Sequence, residues 1–194
     1  MSLRKEHQNL DNIFLRNIRF NKGERVAIQG LTDLSIIPSL SEKLKEDSRI
    51  AIISKDRRGD SNISNYLKEF GREDLFTSLV WDLRRIKRLK DEQFNTIALI
   101  GIGDLEREPI PSLSSYFRLL KEGGRFMIVM EKSDRNDMFL RRLLYEAEMG
   151  EMIGLLEKVG FSKRFYLKRI ITNFIEALII TALKTGINIS FYFQ

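Results

Sequence analysis

The segments FNTIALIG (residues 94–101) and LLKEGGRFMIV (residues 119–129) decide the fold class of this 194-residue chain. Each contains an uninterrupted apolar run next to glycine, which is typical of a strand buried on both faces. We predict strands over Thr96–Ile100 and Arg125–Met130. Apolar residues between them recur at helical spacing, at Leu113, Tyr116, Phe117 and Leu120. The strand, helix and strand predict a βαβ unit with parallel strands.

Outward from this unit, the same alternation continues in both directions. Three upstream strands are predicted, at Arg25–Gln29, Arg49–Ile53 and Ser78–Trp81. Two downstream runs, Phe165–Ile171 and Glu176–Leu183, are separated by only a few residues, which favours an antiparallel hairpin. Further helical stripes fall between the strands: Ile36, Ile37, Leu40 and Leu44; Ile63, Tyr66, Leu67 and Phe70; Met149, Met152, Ile153, Leu156 and Val159. The sequence therefore predicts an α/β fold with a doubly wound sheet of five parallel strands and a C-terminal antiparallel pair.

Length and composition set the broad class. With 43% hydrophobic and 31% charged residues, the chain can bury a core and keep a soluble surface. We expect residues 1–194 to form one domain, with 1–22 as an N-terminal helical or mobile extension.

The absence of cysteine excludes disulfides, zinc thiolates, iron–sulfur clusters and thiol nucleophiles. His7 is the single histidine and cannot build a metal cluster or, in a polar terminal stretch, indicate a catalytic triad.

The N-terminus and the longest apolar stretch of the sequence bear on the localisation of the protein. The N-terminus is charged from Arg4 onward and has no apolar run typical of a secretory signal. The longest apolar stretch, Ile170–Leu183, is too short to span a membrane and contains Asn173 and Glu176. We therefore expect a cytoplasmic protein without a membrane segment.

Read in order, these segments resemble the class I S-adenosylmethionine-dependent methyltransferases, of the type 11-like kind. The two quoted segments are similar to that family's fourth strand and the turn into its fifth, and LLEKVGF (155–161) to the helix and turn before its sixth. The resemblance covers residues 25–183. It implies a Rossmann-like sheet with strand order 3-2-1-4-5-7-6 and S-adenosylmethionine as cofactor.

The glycine-rich cofactor loop of that family is degenerate in this chain. Gly30 stands at its first glycine, Thr32 and Leu34 replace the other two, and Ile28 occupies the position of an acidic residue. A Cβ at each replaced position can narrow the cleft through which the ligand approaches the backbone. Asp33 is interpreted as a helix cap, with a position beside the ligand as the alternative.

The remaining cofactor contacts are implied by the same resemblance. Ser54 lies nearest to the position of the ribose-binding acid, and Asp56 arrives two residues later. Asp82 resembles the aspartate beside the adenine ring. As alternatives, Asp56 pairs with neighbouring basic residues on the surface, and Asp82 caps the basic turn behind it. The predicted cleft is lined by Gly30, Thr32, Ser54, Asp56, Asp82, Leu83 and Gly101.

No catalytic residue is assigned from the sequence. The D/N-P-P-Y/F motif of base-modifying methyltransferases is missing after the fourth strand. Asp104 and Glu106 follow that strand and either orient a nucleophile or lie solvated in a loop. The methyl acceptor stays open. So does the alternative that the chain is a non-catalytic member of this fold, acting as a nucleic-acid-binding or protein-interaction module.

Two basic clusters accompany the net charge of +6. They consist of Arg84, Arg85, Lys87, Arg88 and Lys90, and of Lys163, Arg164, Lys168 and Arg169. Clustered cations bind phosphates if they converge, whereas dispersed ones only solvate the surface. We expect the clusters to lie apart, with only the first near the cofactor site, and nucleic-acid binding through it to be weak and salt-sensitive.

Overall fold

Buried β-branched runs form a central sheet of seven strands. A computed structural model describes residues 10–54, 56–80, 89–101, 105, 109–131, 146–171 and 176–185. The strands are β1 Arg25–Gln29, β2 Arg49–Ser54, β3 Phe76–Val80, β4 Phe94–Ile100, β5 Leu120–Glu131, β6 Phe161–Ile171 and β7 Glu176–Lys184. Their order is β3-β2-β1-β4-β5-β7-β6, with β1 to β5 parallel and β7 antiparallel to both neighbours. The predicted fold class and strand order are confirmed.

Helices cover both faces of the sheet. They are α1 Leu10–Asn17, α2 Ile37–Lys43, α3 Arg57–Phe70, α4 Pro109–Leu119 and α5 Glu146–Val159, with a short 3-10 helix at Leu34–Ile36 before α2. Val26 and Ile28 pack with α1, α2 and α3, while Ala27 between them packs with α4 and α5. Burial on both faces explains why the strands are continuously apolar. Among the described helices, none is long and apolar enough to cross a membrane.

The first helix is part of the core. Phe14 is fully buried, and Ile13 and Ile18 are almost so. They pack in the same cluster as Val129 and Ile179, so α1 covers the face of the sheet that α2 and α3 also cover.

Strand β5 begins at Leu120, five residues before its predicted start. Leu120 pairs with Phe94, and the register then shifts before the pairing of Thr96 with Arg125. A Cβ on Gly124 would lie 2.7 Å from the Lys121 carbonyl oxygen. This irregularity therefore requires glycine, and the Gly-Gly pair that resembles a turn in the sequence lies within the strand.

A buried polar network connects residues at the amino ends of the strands. The Glu24 carboxylate, 3% exposed, accepts hydrogen bonds from the Asn21 amide (2.6 Å), the Arg125 guanidinium (2.9 Å) and the Thr96 hydroxyl. These hydrogen bonds connect the segment before β1 to β4 and β5.

Candidate functional site

The carboxyl ends of β1, β2 and β4 bring together five of the seven predicted cofactor-binding residues. The chain after β1 leads toward β2, whereas β4 lies on the other side of β1, and such a change of direction opens a crevice beyond the strand ends. The five are Gly30, Thr32, Ser54, Asp56 and Gly101. Asp82 and Leu83 lie outside the described residues, as do His7, Asp104, Glu106 and Arg84–Arg88.

Gly30 is required by the fold itself. Its φ is +85°, and a Cβ there would lie 2.0 Å from the Ile100 carbonyl oxygen at the end of β4. Gly101 also has a positive φ, +77°, and its amide donates to the Val129 carbonyl at 2.8 Å. Among the described residues, a Cβ on Gly101 would meet nothing within 4 Å. The strand ends therefore meet tightly at Gly30, and the described residues leave space at Gly101.

A carboxylate from α1 binds the degenerate loop. Asp11 Oδ2 accepts from the amides of Thr32 (3.1 Å) and Asp33 (2.8 Å) and from the Thr32 hydroxyl (2.6 Å). Asp11 is 1% exposed, and its Oδ1 has no hydrogen-bond partner among the described residues. We call this set of contacts the Asp11 clasp. The amides of Thr32 and Asp33 therefore donate to a group of the protein itself.

The rest of the loop forms the start of the next helix. Asp33 caps the 3-10 helix by accepting from the Ser35 amide at 2.9 Å, as its interpretation as a cap predicts. Leu31 and Leu34 are partly buried against the core layer of α1, α2 and α3. The replaced glycine positions therefore carry side chains that hold the loop to the protein.

At the end of β2, Ser54 and Asp56 have different roles. The buried Ser54 hydroxyl donates to the Asp56 carbonyl at 2.8 Å. Asp56 caps α3, accepting from the Gly59 amide at 2.7 Å through Oδ1, and its side chain is exposed. Among the described residues, the Asp56 carboxylate forms this helix cap and not the ion pair with neighbouring basic residues that the sequence left as an alternative. The exposed acidic group after β2 is therefore Asp56.

A buried polar pair lies directly beneath this edge. Gln29, the last residue of β1, accepts at Oε1 from the Tyr116 hydroxyl of α4 at 2.9 Å. Both are at most 1% exposed, and the Tyr116 ring stacks on Phe126 with centroids 5.1 Å apart. In the sequence, Tyr116 belongs to a helical stripe that predicts only core packing. The one signal for the pair was a polar residue, Gln29, closing an apolar strand.

Comparisons with known proteins identify the fold. No family model and no curated protein matches the sequence. Solved structures do match. An S-adenosylmethionine-dependent methyltransferase from Aquifex aeolicus superposes with a TM-score of 0.67 at 16% identity, over 90% of this chain and 89% of that one. An arsenic(III) S-adenosylmethionine methyltransferase from Chlamydomonas reinhardtii gives 0.62 at 17% identity, over 92% and 74%.

The chain therefore has the class I methyltransferase fold. The same fold is found in the [4+2]-cyclase SpnF, with a TM-score of 0.67 at 14% identity, over 91% of this chain and 80% of that one. The fold alone thus leaves the reaction open, and the site must decide it.

The residues at the edge fit one part of S-adenosylmethionine better than the other. The exposed Asp56 carboxylate and the space that the described residues leave at Gly101 suit the adenosine part. The methionine part would be bound without the amides of Thr32 and Asp33, because Asp11 accepts from both.

Proposed function

We propose that the chain is an S-adenosylmethionine-dependent methyltransferase whose acceptor is unassigned. The observation that carries this proposal is the exposed carboxylate of Asp56 directly after β2, at the same sheet edge as Gly30 and Gly101. Ligands of doubly wound sheets bind at this edge. When bound, S-adenosylmethionine supplies the methyl group, and the protein contributes chiefly alignment of the acceptor.

The roles of the residues follow from their donors and acceptors. Asp56 accepts hydrogen bonds from the ribose hydroxyls through the oxygen that does not cap α3. Gly101 leaves room for the adenosine beside the end of β4. Asp82 and Leu83 bind the adenine in this proposal, as the resemblance implies. The hydroxyl of Ser54 is engaged with a carbonyl, so we assign it to holding the β2–α3 turn.

Calorimetric titration with S-adenosylhomocysteine tests the proposal. Asp56→Ser removes the carboxylate but keeps a good helix cap, so stability should change little. We expect stoichiometric binding by the wild-type protein and binding at least about tenfold weaker by Asp56→Ser, since hydrogen bonds to a charged group contribute about 1.5–3 kcal/mol.

The matched control is Asp74→Ser. Asp74 is an exposed acid near the start of β3, remote from the carboxyl ends of the strands. Its replacement should leave affinity unchanged. Absence of binding by the wild-type protein at millimolar ligand would reject the enzyme, and equal affinities of all three proteins would reject the role of Asp56.

The Asp11 clasp is also compatible with a second function, although the methyltransferases that share the fold do not favour it. In this second function the loop amides stay bound to Asp11, no cofactor binds, and the chain is a non-catalytic protein that keeps the methyltransferase fold as an interaction module. The two functions differ in the behaviour of Asp11→Asn, an isosteric variant with a weaker acceptor. If the chain is the enzyme, both the wild-type protein and Asp11→Asn bind S-adenosylhomocysteine. If neither the wild-type protein nor Asp11→Asn binds it, the non-catalytic function is supported.

A further inference from the structure

A groove lies on the α1 side of the sheet, between the end of α1 and the edge strand β6. Its volume is about 430 Å³. Its floor is formed by Met127 of β5 and by Ile179 and Thr181 of β7. It occupies the half of the sheet near the amino end of β5 and is lined by none of the residues of the candidate cofactor edge. We call it the basic groove.

Strand register directs two side chains of β6 to this groove. Tyr166 pairs with Thr181, which in turn pairs with Met127, and Lys168 pairs with Ile179. Residues opposite each other on paired strands share a face of the sheet. Tyr166 and Lys168 therefore form one wall of the basic groove, and the end of α1 forms the other.

The charge of the basic groove is positive. Arg16, Arg19, Arg125 and Lys168 line it, and none of the described lining residues is acidic. Arg125 is neutralised by Glu24. Lys168 donates to the neutral Asn17 side chain at 2.7 Å. Within the described part of the chain, neither Arg16, Arg19 nor Lys168 forms an ion pair, so three charges are uncompensated.

Tyr166 adds an aromatic surface among these charges. Its side chain is 65% exposed, the largest exposure among the large hydrophobic residues described. One simple explanation for cations on an edge strand such as β6 is that they prevent edge-to-edge aggregation. That explanation accounts for Lys168 but not for an exposed aromatic beside it, nor for Arg16 near the end of α1 and Arg19 just after it, which line the same groove.

We propose that the basic groove binds single-stranded nucleic acid. Arg16, Arg19 and Lys168 contact successive phosphates, and a base stacks on Tyr166. Grooves that combine cations with aromatic side chains bind single strands with little dependence on base sequence. This inference is independent of the proposed methyltransferase activity, because the two sites share no residue.

Fluorescence anisotropy with labelled 12-nucleotide oligouridylate and oligothymidylate tests the proposal. Binding should weaken with salt at a log–log slope of about −2, because each phosphate contact to a single strand contributes about −0.7. Binding to either oligonucleotide supports the groove, and the tighter one identifies the sugar. Inorganic polyphosphate should compete only at a phosphate concentration at least about tenfold higher, since it offers no base to stack.

Matched double variants separate the groove from the overall charge. Arg16→Glu/Arg19→Glu should weaken oligonucleotide binding at least about tenfold. Lys43→Glu/Lys68→Glu changes net charge equally at exposed positions on α2 and α3, away from β6, and should change binding less than about threefold. Equal losses from the two pairs would overturn the proposal in favour of a diffuse attraction.

Two variants of Tyr166 test the stacking contact. Tyr166→Ala should weaken oligonucleotide binding about tenfold and leave polyphosphate binding unchanged, whereas Tyr166→Phe should retain oligonucleotide affinity. Circular dichroism melting confirms that each variant is folded. Unchanged affinity in Tyr166→Ala, equal competition by polyphosphate, or binding to anionic phosphatidylserine vesicles without oligonucleotide binding would each overturn the proposal.

Discussion

At Gly30 the chain leaves β1 in a conformation that other residues rarely adopt, against a neighbour that cannot move aside. The nearest atom to an added Cβ is a backbone carbonyl oxygen, at 2.0 Å. A backbone obstacle cannot rotate away as a side chain can. Gly30→Ala should therefore destabilise the protein by about 3 kcal/mol or more, measured by urea denaturation.

Gly101→Ala is the matched control for this prediction. The φ of Gly101, +77°, is also positive, but no atom of the described residues lies within 4 Å of an added Cβ. Gly101→Ala should lower the free energy of unfolding only by the cost of a left-handed backbone in a residue with a Cβ, about 1–2 kcal/mol. Equal losses at the two positions would show that the contact between Gly30 and Ile100 does not determine the effect.

Asp11 determines the conformation of the loop after β1. Asp11→Ala removes an acceptor of three hydrogen bonds and should cost about 2–4 kcal/mol of unfolding free energy. The amides of Thr32 and Asp33 should then exchange with solvent at least about tenfold faster, measured by hydrogen exchange. Unchanged exchange at both amides would contradict the Asp11 clasp.

The sequence could predict Gly30 but not Asp11. Gly30 ends an apolar strand, a position that resembles a known motif. Asp11 meets its partners across 21 and 22 residues, and only the packing of α1 onto the sheet brings them together. A polar residue in a short amphipathic helix gives no local signal of such a contact.

Strand identity was predictable from the sequence because the core strands are buried on both faces. Strand ends were less so. Leu120 pairs with Phe94 before an irregularity that includes Gly124, and β6 likewise begins at Phe161, ahead of a register shift. Irregular pairing depends on the partner strand, so a local pattern of apolar residues cannot locate it.

The amino-terminal end of the sheet should depend on one ion pair, in which Glu24 is buried and Arg125 is partly buried. Arg125→Met leaves the Glu24 carboxylate, 3% exposed, without its charged partner and should cost about 3–5 kcal/mol by urea denaturation. Glu24→Gln combined with Arg125→Met should recover part of this loss. As a control, Lys22→Met breaks an exposed pair with Glu46 and should cost less than about 1 kcal/mol. A similar cost for both single variants would argue against the buried network.

Across the whole molecule, the two proposed sites lie at different places on one sheet. The candidate cofactor edge follows the carboxyl ends of β1, β2 and β4, and the basic groove lies beside β6 at the sheet's edge. The resemblance implied the first site and its edge, and five of the residues predicted for it lie at the ends of these strands. Charge clusters in the sequence pointed to nucleic acid, but pairing Lys168 with Arg16 and Arg19 requires the packing of α1.

The proposed binding of S-adenosylmethionine at the carboxyl edge of the sheet can be measured residue by residue. The most direct measurement is an amide ¹H–¹⁵N correlation spectrum of the labelled protein, titrated with S-adenosylhomocysteine. We predict saturable shifts of the Gly30, Asp56 and Gly101 amides, while the amides of Tyr166 and Lys168 stay in place. No shifts at millimolar ligand, or shifts confined to residues away from these strand ends, would contradict the account.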